Sequence, residues 1–143
     1  MQSAMAGNQP HQPGPPNDTE IRALIERWAA AVRDANLDAI RADHDPEILM
    51  FDVPPPFMSR GLDAYMATWD QFLSWSEKPI VFEFRDVTVT AGQDVAFATA
   101  IGKCAGIDPH GKREALDFRL TMGFRKGDGR WRITHEHHSL PAK

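Results

Sequence analysis

Residues Glu114 to Ser139 read EALDFRLTMGFRKGDGRWRITHEHHS, and the fold class turns on this stretch. Leu116, Phe118, Leu120, Met122 and Phe124 alternate with Asp117, Arg119, Thr121 and Gly123, the period-two pattern of a strand with one apolar face. Gly127-Asp128-Gly129 follows as a tight turn, because glycine and aspartate tolerate the left-handed backbone that a two-residue hairpin needs. A second strand then runs from Arg130 to Ser139. If it is unbroken, Trp131, Ile133, His135, His137 and Ser139 share one face, and Glu136 and His138 point the other way unless a bulge intervenes.

The alternation extends upstream. Between Asp94 and Gly106 the larger Val95, Phe97, Thr99 and Ile101 alternate with Ala96, Ala98, Ala100 and Gly102, a small-residue face that would let subunits approach closely. From Ile80 onward Phe82 and Phe84 share one parity and Val87 and Val89 the other, which predicts a bulge or bend near Arg85-Asp86. Ahead of the strands the spacing is helical. Ile21, Leu24, Ile25, Trp28 and Val32 form one stripe, with Asp18 or Thr19 as cap and Asn36 as stop. A short second helix runs through Leu37, Ile40 and Ala42 and closes at Asp45-Pro46, since the residue before proline avoids helical geometry. Glu47 to Asp52 reads as a short strand ending in Val53-Pro54-Pro55-Pro56. A third helix after Gly61 carries Leu62, Tyr65, Met66, Trp69, Phe72 and Leu73 on one face, with Trp75 near its end and Pro79 past its exit.

Helices first and strands afterwards make an α+β fold: a curved, mostly antiparallel mixed sheet, with three N-terminal helices over its concave face forming a cone. The 143 residues suit one domain, read as 18–143, with the Pro-, Gln- and Gly-rich residues 1–17 as a loosely ordered tail. A net charge of -4 with scattered Lys and Arg argues against a nucleic-acid partner. No run is long and apolar enough to span a bilayer, and the first residues lack the pattern of a signal peptide. The lone Cys104 excludes an internal disulfide framework and fits a reducing compartment, so a cytoplasmic location is expected.

Phe51-Asp52-Val53-Pro54-Pro55-Pro56, with Gly61-Leu62-Asp63-Ala64-Tyr65 and Trp69, resembles the helix–strand–helix portion of SnoaL-like proteins. Arg119-x-Thr121, Phe124-Arg125-Lys126 and the run from Asp128 to Pro141 are similar to the C-terminal hairpin of that family, and also to the association domain of calmodulin-dependent kinase II. The chain is identified on these residues as a member of the nuclear transport factor 2-like superfamily, in its SnoaL-like, ketosteroid-isomerase-like branch. The resemblance implies a curved sheet wrapped around a deep pocket and a homodimer formed through the sheets. It implies no single chemistry, since the superfamily includes isomerases, dehydratases, epoxide hydrolases, cyclases and binding or assembly modules.

Asp52 ends the short strand, and the resemblance places it near the general base of ketosteroid isomerases; an apolar pocket would raise its pKa, which suits proton abstraction beside a carbonyl. It also reads as a turn aspartate bonded to nearby backbone ahead of proline. Arg119 either solvates the outside of the sheet or lies inside and needs an anionic partner; the resemblance, in which Arg119-x-Thr121 belongs to the pocket wall, favours the inside. His135 is expected in the pocket and His137 near its mouth, where histidine titrates close to neutrality. Trp28 and Trp69 are candidates to line a cavity for a flat or hydrophobic ligand. His135-Glu136-His137-His138 lacks the helical spacing of a zinc protease motif and would need a third ligand such as His44, so no metal is expected, and no cofactor.

These residues suggest a small-molecule pocket protein. The enzyme reading is a cofactor-free isomerase or dehydratase acting on a small hydrophobic or carbonyl-bearing substrate, with Asp52 as base and Arg119 or His135 polarising an oxygen. The alternative is a non-catalytic ligand-binding or dimeric assembly module.

Overall fold

The computed structural model describes residues 16–107 and 110–142. Its elements are α1 (Pro16–Arg33), α2 (Leu37–Ala42), β1 (His44–Phe51), β2 (Ser59–Arg60), α3 (Leu62–Trp75), β3 (Glu77–Ala91), β4 (Val95–Ile107), β5 (Arg113–Gly127) and β6 (Arg130–Ser139). The strands form one six-stranded sheet in the order β2-β1-β6-β5-β4-β3, parallel between β1 and β6 and antiparallel elsewhere. This is the expected α+β architecture, with α1 and α3 packed on one face of a mixed sheet.

The helical stripe of α1 buries Ile21, Leu24, Ile25, Trp28, Ala29 and Val32, because positions three and four apart share a face. The helix begins at Pro16, ahead of the expected caps, so Pro16 and Asn17 belong to it and not to the tail. Proline fits the start of a helix because its missing N–H would have no intrahelical partner there. Asn17 anchors this end: its amide donates to the Gly92 carbonyl at 3.0 Å, and its carbonyl accepts from Lys126 and Trp131. Residues 1–15, the remainder of the expected tail, and the side chain of Trp75 lie outside the described residues. Asn36, expected as a stop, caps α2 by accepting from the Ala39 N–H at 3.1 Å.

Two irregularities set the sheet's faces. The bulge expected in β3 is present: pairing with β4 shifts between Arg85 and Thr88, and Asp86 sits at φ 55°. Phe82, Phe84, Val87, Val89 and Ala91 consequently all face the core. A second bulge lies in β6, where Gly123 pairs with His135 but Phe124 pairs with Ile133, leaving Thr134 as the extra residue. A Cβ on Gly123 would lie 3.3 Å from the His135 Cβ and 3.5 Å from the Thr134 hydroxyl, so the bare glycine gives the bulge room. Gly127 and Arg130 close the β5–β6 hairpin, with Asp128 at φ 53° and Gly129 at φ 74°, as a two-residue turn of this hand requires.

The face of β4 expected to meet another subunit is turned inward instead. Ala96, Ala98 and Ala100 are buried, while Val95 and Phe97 are more than half exposed on the opposite side. At one position of this face a neighbouring ring takes the space a side chain would need. Gly102 shows this most directly: a Cβ at that position would come within 2.3 Å of the Phe118 ring.

Candidate functional site

The bulge at Thr134 reverses the parity of β6. Trp131 and Ile133 face the core, as expected, but beyond the bulge it is Glu136 and His138 that turn inward. Glu136 pairs with Met50 of β1 and Met122 of β5, both buried, which places a carboxylate in the middle of an apolar floor. A buried carboxylate is tolerated only when its oxygens are thoroughly hydrogen-bonded. Three side chains meet that need. His44 Nε2 lies 2.7 Å from one Glu136 oxygen, the Tyr65 hydroxyl donates to the same oxygen at 2.8 Å, and His138 Nε2 lies 3.0 Å from the other.

His44 is held from behind. Its Nδ1 lies 2.6 Å from the Ile40 carbonyl, which only accepts, so Nδ1 carries a proton. Its Nε2 faces both the Glu136 oxygen and, at 2.8 Å, the Tyr65 oxygen. The side chains of His44 and Glu136 are completely buried. Burial, reinforced by the charge of Glu136, pushes the Tyr65 phenol well above its ordinary pKa and keeps it a donor. For Glu136, burial alone would raise the pKa, but the hydrogen bonds and charges of His138 and His44 prevail and bring it down to about 2. Burial would lower the pKa of His138; its bond to Glu136 and the charges of Glu136 and Asp52 outweigh that, and the net direction is up.

The chain of groups leads outward. His138 Nδ1 lies 3.8 Å from Asp52 Oδ1, an ion-pair distance with no hydrogen bond, and side-chain exposure rises from 0% at Glu136 to 11% at His138 and 26% at Asp52. Asp52 has the parity of buried Ile48 and Met50, which carries it to the inner side at the end of β1. It also accepts from the Val53 N–H at 2.8 Å, the backbone bond expected of a turn aspartate. Aromatic rings surround the polar chain. Phe118 stacks on His138 at 5.4 Å and 5°, Trp28 meets His44 edge-on at 5.7 Å, and Trp69, Phe82 and Phe84 complete the cluster around Trp28. Trp28 and Trp69 are thus both interior. Cys104 is partly buried, and its thiol is pushed up to about 11 by burial, with the charge of Asp52 adding to the effect; it stays protonated and passive.

Four expected site residues are corrected in position. Arg119 is exposed on the outer face of β5 and donates to the Ser139 hydroxyl at 3.1 Å; it does not converge with Asp52 inside the fold. The apolar parity of Phe118, Leu120 and Met122 takes the interior and leaves Arg119 and Thr121 to the other side. His135 and His137 are likewise outside, because of the bulge. His135 donates or accepts at the Leu49 carbonyl, 2.7 Å away, and must be the donor, since a carbonyl only accepts. Both histidines meet Phe51 edge-on, at 5.1 and 5.3 Å. The groups that sequence reasoning passed over are Glu136, His138 and Tyr65, with His44 considered only as a metal ligand. The signal for the first two was Gly123, a glycine opposite the bulge; nothing local marked Tyr65.

Two surface depressions lie elsewhere, along α2 and α3 around Arg41, and none of the buried polar cluster lines them. Among the described residues no three His, Cys, Asp or Glu side chains are arranged to hold a metal ion, and no helix is long and apolar enough to cross a membrane.

The family model of the SnoaL-like domain matches residues 21–143. An NTF2-like protein of unknown function from Pseudomonas putida KT2440 is similar at 35% identity and TM-score 0.81, over 89% of this chain and 88% of that one. At 20% identity, a structure from Xanthomonas campestris provisionally named a calcium/calmodulin dependent protein kinase II association domain shares the fold, with TM-score 0.78 over 92% of each chain. An NTF2-like superfamily protein from Salmonella enterica does so at 18% identity and TM-score 0.76, over 87% of this chain and 91% of that one. Among curated proteins none matches. By the extent of the domain match and the likeness to the Pseudomonas structure, the chain belongs to the SnoaL-like family, within the nuclear transport factor 2-like superfamily.

Proposed function

We propose that the protein is a small-molecule pocket protein that moves a proton on an apolar, carbonyl-bearing substrate without a cofactor, as an isomerase or dehydratase would. The observation that supports this most is the polar chain Glu136–His138–Asp52, which climbs from complete burial to the rim beside a cluster of aromatic rings. Asp52 is the base. It takes a proton from the carbon next to the carbonyl, and the electron pair of that C–H bond moves toward the oxygen. His138 stabilises the resulting enolate: Nε2 is committed to Glu136, while Nδ1 has no hydrogen bond among the described residues and is free to donate to the substrate oxygen. Glu136 favours the protonated form of His138, and Tyr65 and His44 keep Glu136 in place; these three are positioning residues.

The test is exchange of α-protons for deuterium in a panel of small ketones, followed by NMR. Asp52→Asn is expected to abolish exchange and leave binding largely intact. Exchange at the wild-type rate in that variant removes Asp52 from the mechanism.

A second reading concerns assembly, in a cytoplasmic protein. Val95 and Phe97 are exposed on the outer face of the sheet, and they support a homodimer formed through that face. Light scattering on Phe97→Asp is expected to report a shift toward monomer, and an unchanged mass would remove this face from the interface.

A further inference from the structure

Beyond the Thr134 bulge the outer face of β6 carries two imidazoles that the proton-transfer reading does not use, His135 and His137. They stand two residues apart, so both project from the same side of the strand, with ring centres 6.4 Å apart. His135 donates from Nδ1 to the Leu49 carbonyl at 2.7 Å, which fixes the ring and leaves the lone pair of the neutral imidazole on Nε2. A backbone carbonyl behind one ring nitrogen is how proteins orient a histidine that ligates a metal through the other. Apart from ring contacts with Phe51 and His135, His137 has no hydrogen bond or ion pair among the described residues. Phe51 packs edge-on against both rings, an apolar wall beside the pair. Two histidines sharing a tetrahedral zinc ion have ring centres about 5 Å apart, given Zn–N bonds of about 2 Å. Turning the unbonded His137 side chain between rotamers closes that difference.

Two nitrogens are half of the four that a closed zinc site takes. No third ligand comes from the same chain: among the described residues no three His, Cys, Asp or Glu side chains are arranged for a metal, and His44 is committed to Glu136 on the inner side. The missing half is available by symmetry. Gly123 pairs with Phe97 on one side and His135 on the other, so the exposed Phe97 and His135 share a row of the outer face with no side chain between them. A second copy seated on Phe97 therefore also meets the imidazoles, and a two-fold axis sets such a surface against its own image. We propose that His135 and His137 are half of a metal site completed by the same two histidines of a second copy, so that one divalent ion clamps two chains across the outer faces of their sheets. This deepens the assembly reading and rests on it for the second copy. Transition-metal ions that favour imidazole, zinc foremost, suit the site; calcium and magnesium, which take oxygen ligands, do not.

The experiment titrates zinc chloride into the full chain, prepared without an affinity tag and stripped with EDTA. Molecular mass is followed by light scattering, and bound metal by competition with a chromogenic chelator. One zinc ion per two chains is expected, with a dimer that survives at least about tenfold greater dilution in zinc than in EDTA. Cobalt(II) in place of zinc should show the intense visible absorption of a tetrahedral site, where an octahedral ion absorbs weakly. His137→Ala, at an exposed position, should weaken metal binding about tenfold or more and remove that absorption, and His135→Gln should do the same independently. No uptake, uptake unchanged in both variants, or one ion per chain overturns the shared site. The two proposals fail separately: a dimer that binds no zinc removes the metal site and leaves the assembly reading, whereas a chain that stays monomeric and takes no zinc removes both.

Discussion

His137 and His138 are neighbours on β6, yet they live in different media. His137 is exposed beside Phe51, whereas His138 lies under Phe118 with one nitrogen bonded to a buried carboxylate. The same division runs along the strand, with His135 bonded to backbone on the outer face and Glu136 at the centre of a hydrogen-bond cluster on the inner one. Composition does not separate these positions. What separates them is one extra residue, Thr134, which advances the strand by half its repeat and exchanges the two faces. A residue type therefore says little about function until the face is known, and the contrast can be broken or sharpened experimentally.

The largest effect is expected from crowding out the bulge with Gly123→Val, whose side chain would press on the His135 Cβ and the Thr134 hydroxyl; an unbroken strand of the same length would drive His135 and His137 into the core while expelling Glu136. A loss above about 4 kcal/mol in urea unfolding, or failure to fold, is expected; a mild effect would mean the bulge does not set the inner face. Next comes Glu136→Leu, which strands two histidines and a phenol without their acceptor and should destabilise by about 3–5 kcal/mol.

The charge of the cluster should also show in the pH dependence of stability. Glu136 has its pKa lowered by folding, so its contribution is present above the unfolded value of about 4.5 and is lost as pH falls toward about 2. His138 has its pKa raised, so its contribution is complete below about 6.5 and is lost as pH climbs through the higher folded value. Urea midpoints should thus be highest between those limits, and Glu136→Gln should flatten the alkaline decline. An alkaline decline as steep as the wild type in that variant would disconnect His138 from Glu136. Tyr65→Phe removes one donor to the carboxylate and should cost about 2 kcal/mol, with a smaller effect in the Glu136→Gln background. The outer face supplies the smallest effect: Arg119→Leu should change stability by less than about 0.5 kcal/mol and leave ligand binding untouched. A large effect from Arg119 would contradict its placement.

The two bulges show why one part of the site was legible and another was not. In β3 the residues on both sides of the irregularity are apolar, so Phe82 and Phe84 followed by Val87 and Val89 record the change of parity in the sequence itself. In β6 the residues after the bulge are Glu136 and His138, whose polarity suggests the outside, and the change leaves no hydrophobic trace. Arg119 was drawn inward by family likeness against its own strand pattern, and the pattern was the better guide. The inward placement of Asp52, Trp28 and Trp69 was legible because each follows an apolar parity or stripe that the fold obeys.

By itself the sequence determined the helical stripes, the alternating strands, the hairpin turn and the family, because the repeats of helix and strand and the backbone tolerance of glycine are local properties. The tertiary structure alone decided that Glu136 meets His44 and Tyr65, residues 92 and 71 positions away along the chain. Those partners make a buried charge tenable, and no local pattern records a hydrogen bond that exists only once distant segments have packed.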